Sequence, residues 1–320
     1  MPSNRSSFTV ASQWGATLDA LVQAARPDLS VLSLDNRSPW PLPDAAQVLL
    51  ARPYAAADIA QPAPPGWPFK LRWVQLISVG VDHYPPWLLR TPGLAVSTAH
   101  GSSSQVIADF ALASILRVQL RLQERRARAL ADWHFTKAPG LAGARVGLVG
   151  FGGIGQALAH KALALGLRVS ALRRSDAPLS VEGVDRAASL AELVQTSDHL
   201  VLVAPGTAET RHLVNAAALA QAKPGLHIVN LARGSLIDQD ALRVALDDGR
   251  VAWASLDVTE PEPLPEGHWM YRHAKVWLTP HTCAISPQVQ QALVAKVLRS
   301  LALLDAGDAP ESLIDLARGY

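Results

Sequence analysis

A single cysteine, Cys283, stands in the 320 residues. No disulfide can therefore close within the chain, and a reducing compartment suits it. No run of about 18 apolar residues occurs, so no membrane span is expected. The N-terminus, Met1 to Ser7, leads into no apolar h-region, and Asp19 and Gln23 interrupt the apolar residues beyond it. No secretory signal is visible, and a cytoplasmic location is expected. Neither sign of charge prevails: 29 basic and 27 acidic residues leave +2. That balance argues against nucleic acid or an anionic membrane as partner. Histidines and cysteine show no metal-ligand spacing, so no metal is expected. Internal repeats, low-complexity tracts and charge runs are missing too. What is present is apolar. The 49% hydrophobic content supplies sizeable cores, and the length allows one large or two medium domains. Nine tryptophans offer large apolar walls for a core, a pocket or an interface.

Short apolar runs at Phe8–Ala11, Val31–Leu34, Val48–Ala51 and Trp73–Ile77 read as strands. Leu18, Leu21, Val22 and Ala25 repeat at helical spacing, and Pro27 stops that helix. Prolines 39, 41 and 43, then 62, 64, 65 and 68, mark connectors. The alternation predicts a parallel α/β unit. Ser102 to Arg128 reads as one long helix with a stripe through Ile107, Phe110, Ala111, Ser114, Ile115, Val118 and Leu122. A second unit begins at Arg145. Strands are expected at 145–149, 167–172, 198–203, 226–231, 251–256 and 275–278, with helices at about 153–165, 189–196, 215–222 and 238–248. This is the pattern of a doubly wound, Rossmann-type parallel sheet. Gln288 to Leu304 reads as a final helix.

Arg145 to Gly155 is the most informative stretch. Val146 to Val149 runs directly into Gly150, Gly152 and Gly155, on the spacing G-x-G-x-x-G. The first glycine permits a tight turn, the second lets a pyrophosphate reach bare backbone, and the third lets the helix pack close. The helix N-terminus then offers free N–H groups to phosphates. Alone, the spacing also fits a plain tight turn. The strand before it, the helix after it and the strand at 167–172 favour a dinucleotide site. At the end of that next strand an acidic residue would take the ribose hydroxyls of NAD. The acid is missing. Arg173, Arg174 and Ser175 stand there, and guanidinium groups bind a phosphate monoester through paired hydrogen bonds. The expected cofactor is therefore NADP(H). Asp176, a little further along, keeps NAD(H) possible.

Three later segments follow strands on the same sheet: Asn230-Leu231-Ala232-Arg233-Gly234, Asp257-Val258-Thr259-Glu260-Pro261-Glu262-Pro263-Leu264 and Thr279-Pro280-His281. Earlier, Ser78-Val79-Gly80-Val81-Asp82 comes directly after a strand. By itself this loop fits a small-anion site and a structural turn equally well. Together with the glycine fingerprint and Thr207-Ala208-Glu209-Thr210, these motifs resemble, in order, those of the D-isomer-specific 2-hydroxyacid dehydrogenases. The resemblance spans about residues 75–285.

The resemblance implies a mechanism. Arg233 holds a 2-oxo acid by carboxylate and carbonyl oxygen, a task for a planar fork of permanent charge. His281 protonates the developing alkoxide as hydride reaches C2. Glu262 hydrogen-bonds His281, favouring the imidazolium and fixing the ring. Val79 and Gly80 offer backbone N–H groups to the substrate carboxylate. Gly150, Gly152, Gly153, Ile154, Gly155, Arg173, Arg174, Ser175, Pro205, Thr210, Ala232 and Asp257 contact the cofactor, Asp257 at the nicotinamide carboxamide. A substrate domain of about 1–99 and 287–320, flavodoxin-like, flanks a cofactor domain of about 100–286. A homodimer through the cofactor domain is implied, and Trp133 resembles an interface tryptophan. Thr282-Cys283-Ala284-Ile285 departs from the glycine that many members carry after the histidine. With the arginine pair, it looks more like the glyoxylate/hydroxypyruvate reductase branch than like phosphoglycerate dehydrogenase. Two other readings stay open: a non-catalytic, dinucleotide-sensing corepressor-like protein, and a dehydrogenase of another small anion such as formate or phosphite.

Overall fold

Apolar runs four or five residues long, bounded by proline, glycine and polar residues, become parallel strands throughout the chain. The computed structural model describes residues 8–35, 39–135 and 137–315; the N-terminal stretch Met1 to Ser7, read above for a secretory signal, lies outside them. The chain divides into two compact units, residues 1–103 with 286–320, and residues 104–285.

In the first unit β1 (Thr9–Ser12), α1 (Ala16–Ala25), β2 (Ser30–Ser33), β3 (Val48–Ala51), α2 (Ala56–Ile59), β4 (Trp73–Leu76), α3 (Pro86–Leu89) and β5 (Ala95–Ser97) succeed one another. The strands form a parallel sheet in the order β2-β1-β3-β4-β5. This is the flavodoxin-like order. Every residue of β3 and β4 is buried, which is why Val-Leu-Leu-Ala and Trp-Val-Gln-Leu read as continuous rather than alternating runs.

The second unit opens with α4 (Ser104–Gln119). It continues through β6 (Arg145–Val149), α5 (Gly153–Ala164), β7 (Arg168–Leu172), β8 (Val184–Arg186), α6 (Leu190–Thr196), β9 (His199–Leu202), α7 (Ala216–Ala220), β10 (Leu226–Asn230), α8 (Gln239–Asp247), β11 (Val251–Leu256) and β12 (Val276–Leu278). Its seven strands lie in the order β12-β11-β10-β9-β6-β7-β8, all parallel. Strand order reverses between β6 and β9, the crevice where open α/β sheets take ligands at their carboxyl ends. The chain then returns to the first unit as α9 (Pro287–Ala306), where Val294, Val297 and Leu301 pack with Leu18 and Val22 of α1. Among the described residues no helix is long and apolar enough to cross a membrane.

Two expectations need correction. The helix read to Arg128 stops at Gln119. Arg121 turns left-handed at φ 49°, and Leu122 N–H reaches back to the Arg117 carbonyl. That is a Schellman closure made without glycine. Beyond it Arg125, Arg126 and Arg128 are exposed and supply no apolar stripe to extend the helix. The strands β5 and β8, three residues each, were not anticipated. They lie at sheet edges, where burial is partial and the apolar signal is short.

Candidate active site

β6 ends at Val149, and Gly150 takes φ +102°. A Cβ on Gly150 would stand 2.8 Å from the Ala204 nitrogen, and one on Gly155 2.6 Å from the Gly150 carbonyl oxygen. The turn is thus tight and α5 lies hard against it. Gly152 differs. Its φ of −86° suits any residue, and a Cβ there would meet nothing within 4 Å. The fold itself has no need of glycine at 152, whereas a large anion laid against the backbone does. Gly153 and Ile154 open α5, whose first amides have no intrahelical acceptor. This bare, donor-rich patch at the sheet's switch point fits the pyrophosphate of a dinucleotide.

The adenosine end comes after β7. Arg173, Arg174 and Ser175 lie just past Leu172, and no carboxylate ends the strand. Arg173 Nη1 donates to the Pro178 carbonyl at 3.3 Å. Arg174 Nη1 approaches Glu209 Oε2 at 3.5 Å. Glu209 belongs to the Thr207–Thr210 segment. There the Thr207 N–H donates to Thr210 Oγ1 at 2.8 Å, and the Thr210 hydroxyl donates to the Pro205 carbonyl at 2.8 Å.

Arg233 is set by its neighbours. The Asn230 side chain, wholly buried, accepts from the Ala232 N–H at 3.1 Å and donates to the Arg233 carbonyl at 2.8 Å. That pair of bonds is what the Asn-x-x-Arg spacing encodes. Gly234 lies flush on the backbone of Thr259 and Glu260, where any Cβ would overlap the Thr259 carbonyl. The Arg233 stem lies over Gly206, a Cβ there being 2.8 Å from Arg233 Cγ. The guanidinium donates to the Ala232 carbonyl at 2.8 Å.

Glu262 Oε1 and His281 Nδ1 are 2.5 Å apart, both side chains about two-fifths exposed. Glu262 Oε2 also accepts from the Thr259 N–H at 3.4 Å. His281 itself is left-handed at φ 54°. Non-glycine residues adopt that conformation only when held there. Asp257 holds it. Its carbonyl accepts from the His281 N–H at 2.9 Å, its Oδ1 from the Thr279 hydroxyl at 2.6 Å and the Thr282 N–H at 2.9 Å, and its Oδ2 from the Cys283 N–H at 3.0 Å. Asp257 is 1% exposed, so its carboxylate serves this loop. Burial pushes the Cys283 thiol up, with Asp257 adding to the effect, which makes it a poor nucleophile.

One continuous path thus joins Arg233, Gly234, Thr259, Glu262 and His281, all at carboxyl ends of β10, β11 and β12. Val79 and Gly80 belong to the other unit, past β4, where the Ser78 hydroxyl donates to the Gly80 carbonyl at 2.7 Å. Sequence reasoning did not single out Asn230 as an organiser, although it stood in the quoted motif. It also missed Gly206, whose neighbour across the loop is visible only in three dimensions. Among the described residues no group of three or more histidine, cysteine or acidic side chains could hold a metal ion.

A family model described as "D-isomer specific 2-hydroxyacid dehydrogenase, NAD binding domain" matches residues 111–283. A glyoxylate reductase of Korarchaeum cryptofilum is 32% identical over 284 residues, 85% of this chain and 82% of that protein. Among solved structures, a D-isomer specific 2-hydroxyacid dehydrogenase from Xanthobacter autotrophicus Py2, in complex with NADPH and MES, superposes with a TM-score of 0.82 at 28% identity, covering 98% of this chain and 100% of that one. An NADPH-dependent glyoxylate/hydroxypyruvate reductase from Sinorhizobium meliloti, in complex with NADP and sulfate, gives 0.79 at 26% identity, covering 98% and 100%. The switch-point turn built for a nicotinamide dinucleotide and the ordered motifs after it have the same source: the chain belongs to the D-isomer-specific 2-hydroxyacid dehydrogenase family.

Proposed function

We propose that this protein is an NADPH-dependent reductase of a small 2-oxo acid of the glyoxylate or hydroxypyruvate type, releasing the D-2-hydroxy acid. The observation that carries the reading is the 2.5 Å Glu262–His281 pair, on the same sheet edge as Arg233 and the glycine turn. Arg233 binds the carboxylate and carbonyl oxygen of the substrate and polarises C2. Glu262 accepts a hydrogen bond from the Nδ1–H of His281 and fixes the ring, and in the imidazolium form that reduction uses, Nε2 carries the second proton toward substrate. His281 Nε2 gives that proton to the C2 oxygen. The reduced nicotinamide, when bound, supplies the hydride that C2 receives. Val79 and Gly80 are assigned to the substrate carboxylate on the family resemblance. Arg173, Arg174 and Ser175 take the 2′-phosphate. That assignment is supported by the missing carboxylate after β7 and by the cofactors named in the two solved relatives.

The reading is tested by following the loss of reduced-nicotinamide absorbance with glyoxylate, hydroxypyruvate and a panel of other 2-oxo acids. Faster turnover with NADPH than NADH is expected. No oxidation with any small 2-oxo acid sinks the reductase, and cofactor binding without turnover returns the corepressor-like reading. Arg173→Asp is expected to shift preference toward NADH by about tenfold or more; an unchanged ratio removes the phosphate assignment. The second unit also exposes Leu130, Trp133 and Phe135 close together in sequence. We take this apolar strip as the surface covered by a second copy in a homodimer. A monomer mass by light scattering would remove it.

A further inference from the structure

The arginines that face the 2′-phosphate stand on a segment with little structure of its own. Residues 173–178 belong to no strand or helix. A phosphate monoester gains most from guanidinium groups already in place, since ordering a loop and two long side chains on binding costs affinity. Among the described residues, the hydrogen bonds that reach the backbone of 174–178 come from arginine side chains. One is from Arg173 to Pro178. The others come from Arg186, which neither the motifs nor the catalytic path uses. Its Nη1 donates to the Ser175 carbonyl at 3.2 Å and its Nη2 to the Ala177 carbonyl.

Arg186 can do this because of sheet register. It is the last residue of the edge strand β8 and pairs with Ala171, one position before β7 ends. Its side chain therefore starts level with the root of the 173–178 segment. The two guanidinium nitrogens take carbonyls two residues apart, which a planar fork can span and a single ammonium cannot. Across the segment, Arg174 is drawn the other way toward Glu209.

We infer that Arg186 is a positioning residue for cofactor selectivity: it ties down the Ser175–Ala177 backbone so that Arg173 and Arg174 are set for a 2′-phosphate. This rests on the NADPH reading of the site. Its loss should weaken ligands that carry the phosphate and spare those that lack it. Lysine at 186 keeps the charge but loses the fork, so it separates tethering from simple attraction.

The test is calorimetric titration of the cofactor-free protein with adenosine 2′,5′-bisphosphate and with adenosine 5′-monophosphate. Wild type should bind the bisphosphate more tightly. Arg186→Ala and Arg186→Lys should each weaken the bisphosphate about tenfold while 5′-monophosphate binding shifts less than about twofold. Amide exchange over 174–177 in the free protein should quicken in both variants. Equal weakening of the two nucleotides would make Arg186 merely structural and overturn the proposal. So would lysine binding like wild type, or alanine without effect. Wild type that fails to favour the bisphosphate fells the NADPH reading, and this proposal with it. Wild type that favours it while the variants do not differ fells the proposal alone.

Discussion

Single residues in this protein divide into those the fold requires and those only a ligand requires. Gly155 and Gly152 show the difference. A Cβ at 155 would press on the Gly150 carbonyl at 2.6 Å, whereas one at 152 would meet no protein atom within 4 Å. Gly155→Ala should therefore lower stability by about 1–3 kcal/mol in urea unfolding and weaken the cofactor. Gly152→Ala should leave the unfolding midpoint in place and still weaken NADPH binding, read by fluorescence titration. If Gly152→Ala binds normally, the pyrophosphate does not lie there. His281 is the other test at this scale. His281→Ala should cut turnover about 10²–10⁴-fold with NADPH affinity kept. Turnover that survives would move the proton donor elsewhere.

At the scale of elements, the carboxyl ends of β10, β11 and β12 act as one mount. Asp257 is its fastening. From β11's end it holds the 279–283 loop by main chain and by both carboxylate oxygens, and so keeps His281 left-handed. Asp257→Ala would leave the Thr282 and Cys283 amides without their acceptor. A loss of about 2–4 kcal/mol is expected, with faster exchange at those two amides and reduced turnover. Native exchange at 282 and 283 in the variant would show that the loop is held by other means.

A second polar assembly crosses the same sheet away from the site. His199 Nε2 meets Gln119 Oε1 at 2.9 Å, and Gln119 Nε2 donates to the Gly140 carbonyl at 2.8 Å, which fixes the amide's orientation. His199 Nε2 must then carry the proton, so its Nδ1 accepts from His227 Nδ1 at 3.0 Å. His227 Nε2 in turn accepts from the Ser255 hydroxyl at 2.9 Å, and Ser255 Oγ accepts from Arg117 at 3.3 Å. Every proton in the chain has one place, and both imidazoles are neutral.

That neutrality has a consequence for the whole molecule. Burial pushes His199 down to about 4 and His227 well below its usual 6.5, each with further influence from neighbouring charges. Below about pH 6.5 the unfolded chain takes up protons that the folded chain refuses. The stability due to these two residues is thus complete above about 6.5 and lost as pH falls toward 4. Urea unfolding near pH 4.5 should give a stability below that near pH 7 by on the order of 2–3 kcal/mol from His199 alone, with His227 adding in the same direction. His199→Gln should flatten that slope. A slope unchanged in the variant would assign the acid sensitivity to other groups.

Sequence alone determined the α/β class, most strands to within a residue or two, the glycine turn, and the identities of the Arg233, Glu262 and His281 motifs. Those features are local: a buried parallel strand is a continuous apolar run, and a turn that admits only glycine is written in consecutive residues. Tertiary structure alone decided the rest. Arg186 could be tied to Ser175 only once β8 paired with β7, because Val184–Arg186 is short, partly exposed and without a hydrophobic period. Helix α4 looked longer than it is because Arg121 closes it left-handed, a conformation that no residue but glycine announces in advance. Asp257's grip on its loop and the Gln119–His199–His227–Ser255–Arg117 chain join residues tens of positions or more apart. Such contacts depend on strand order and register, which periodicity within a window does not carry.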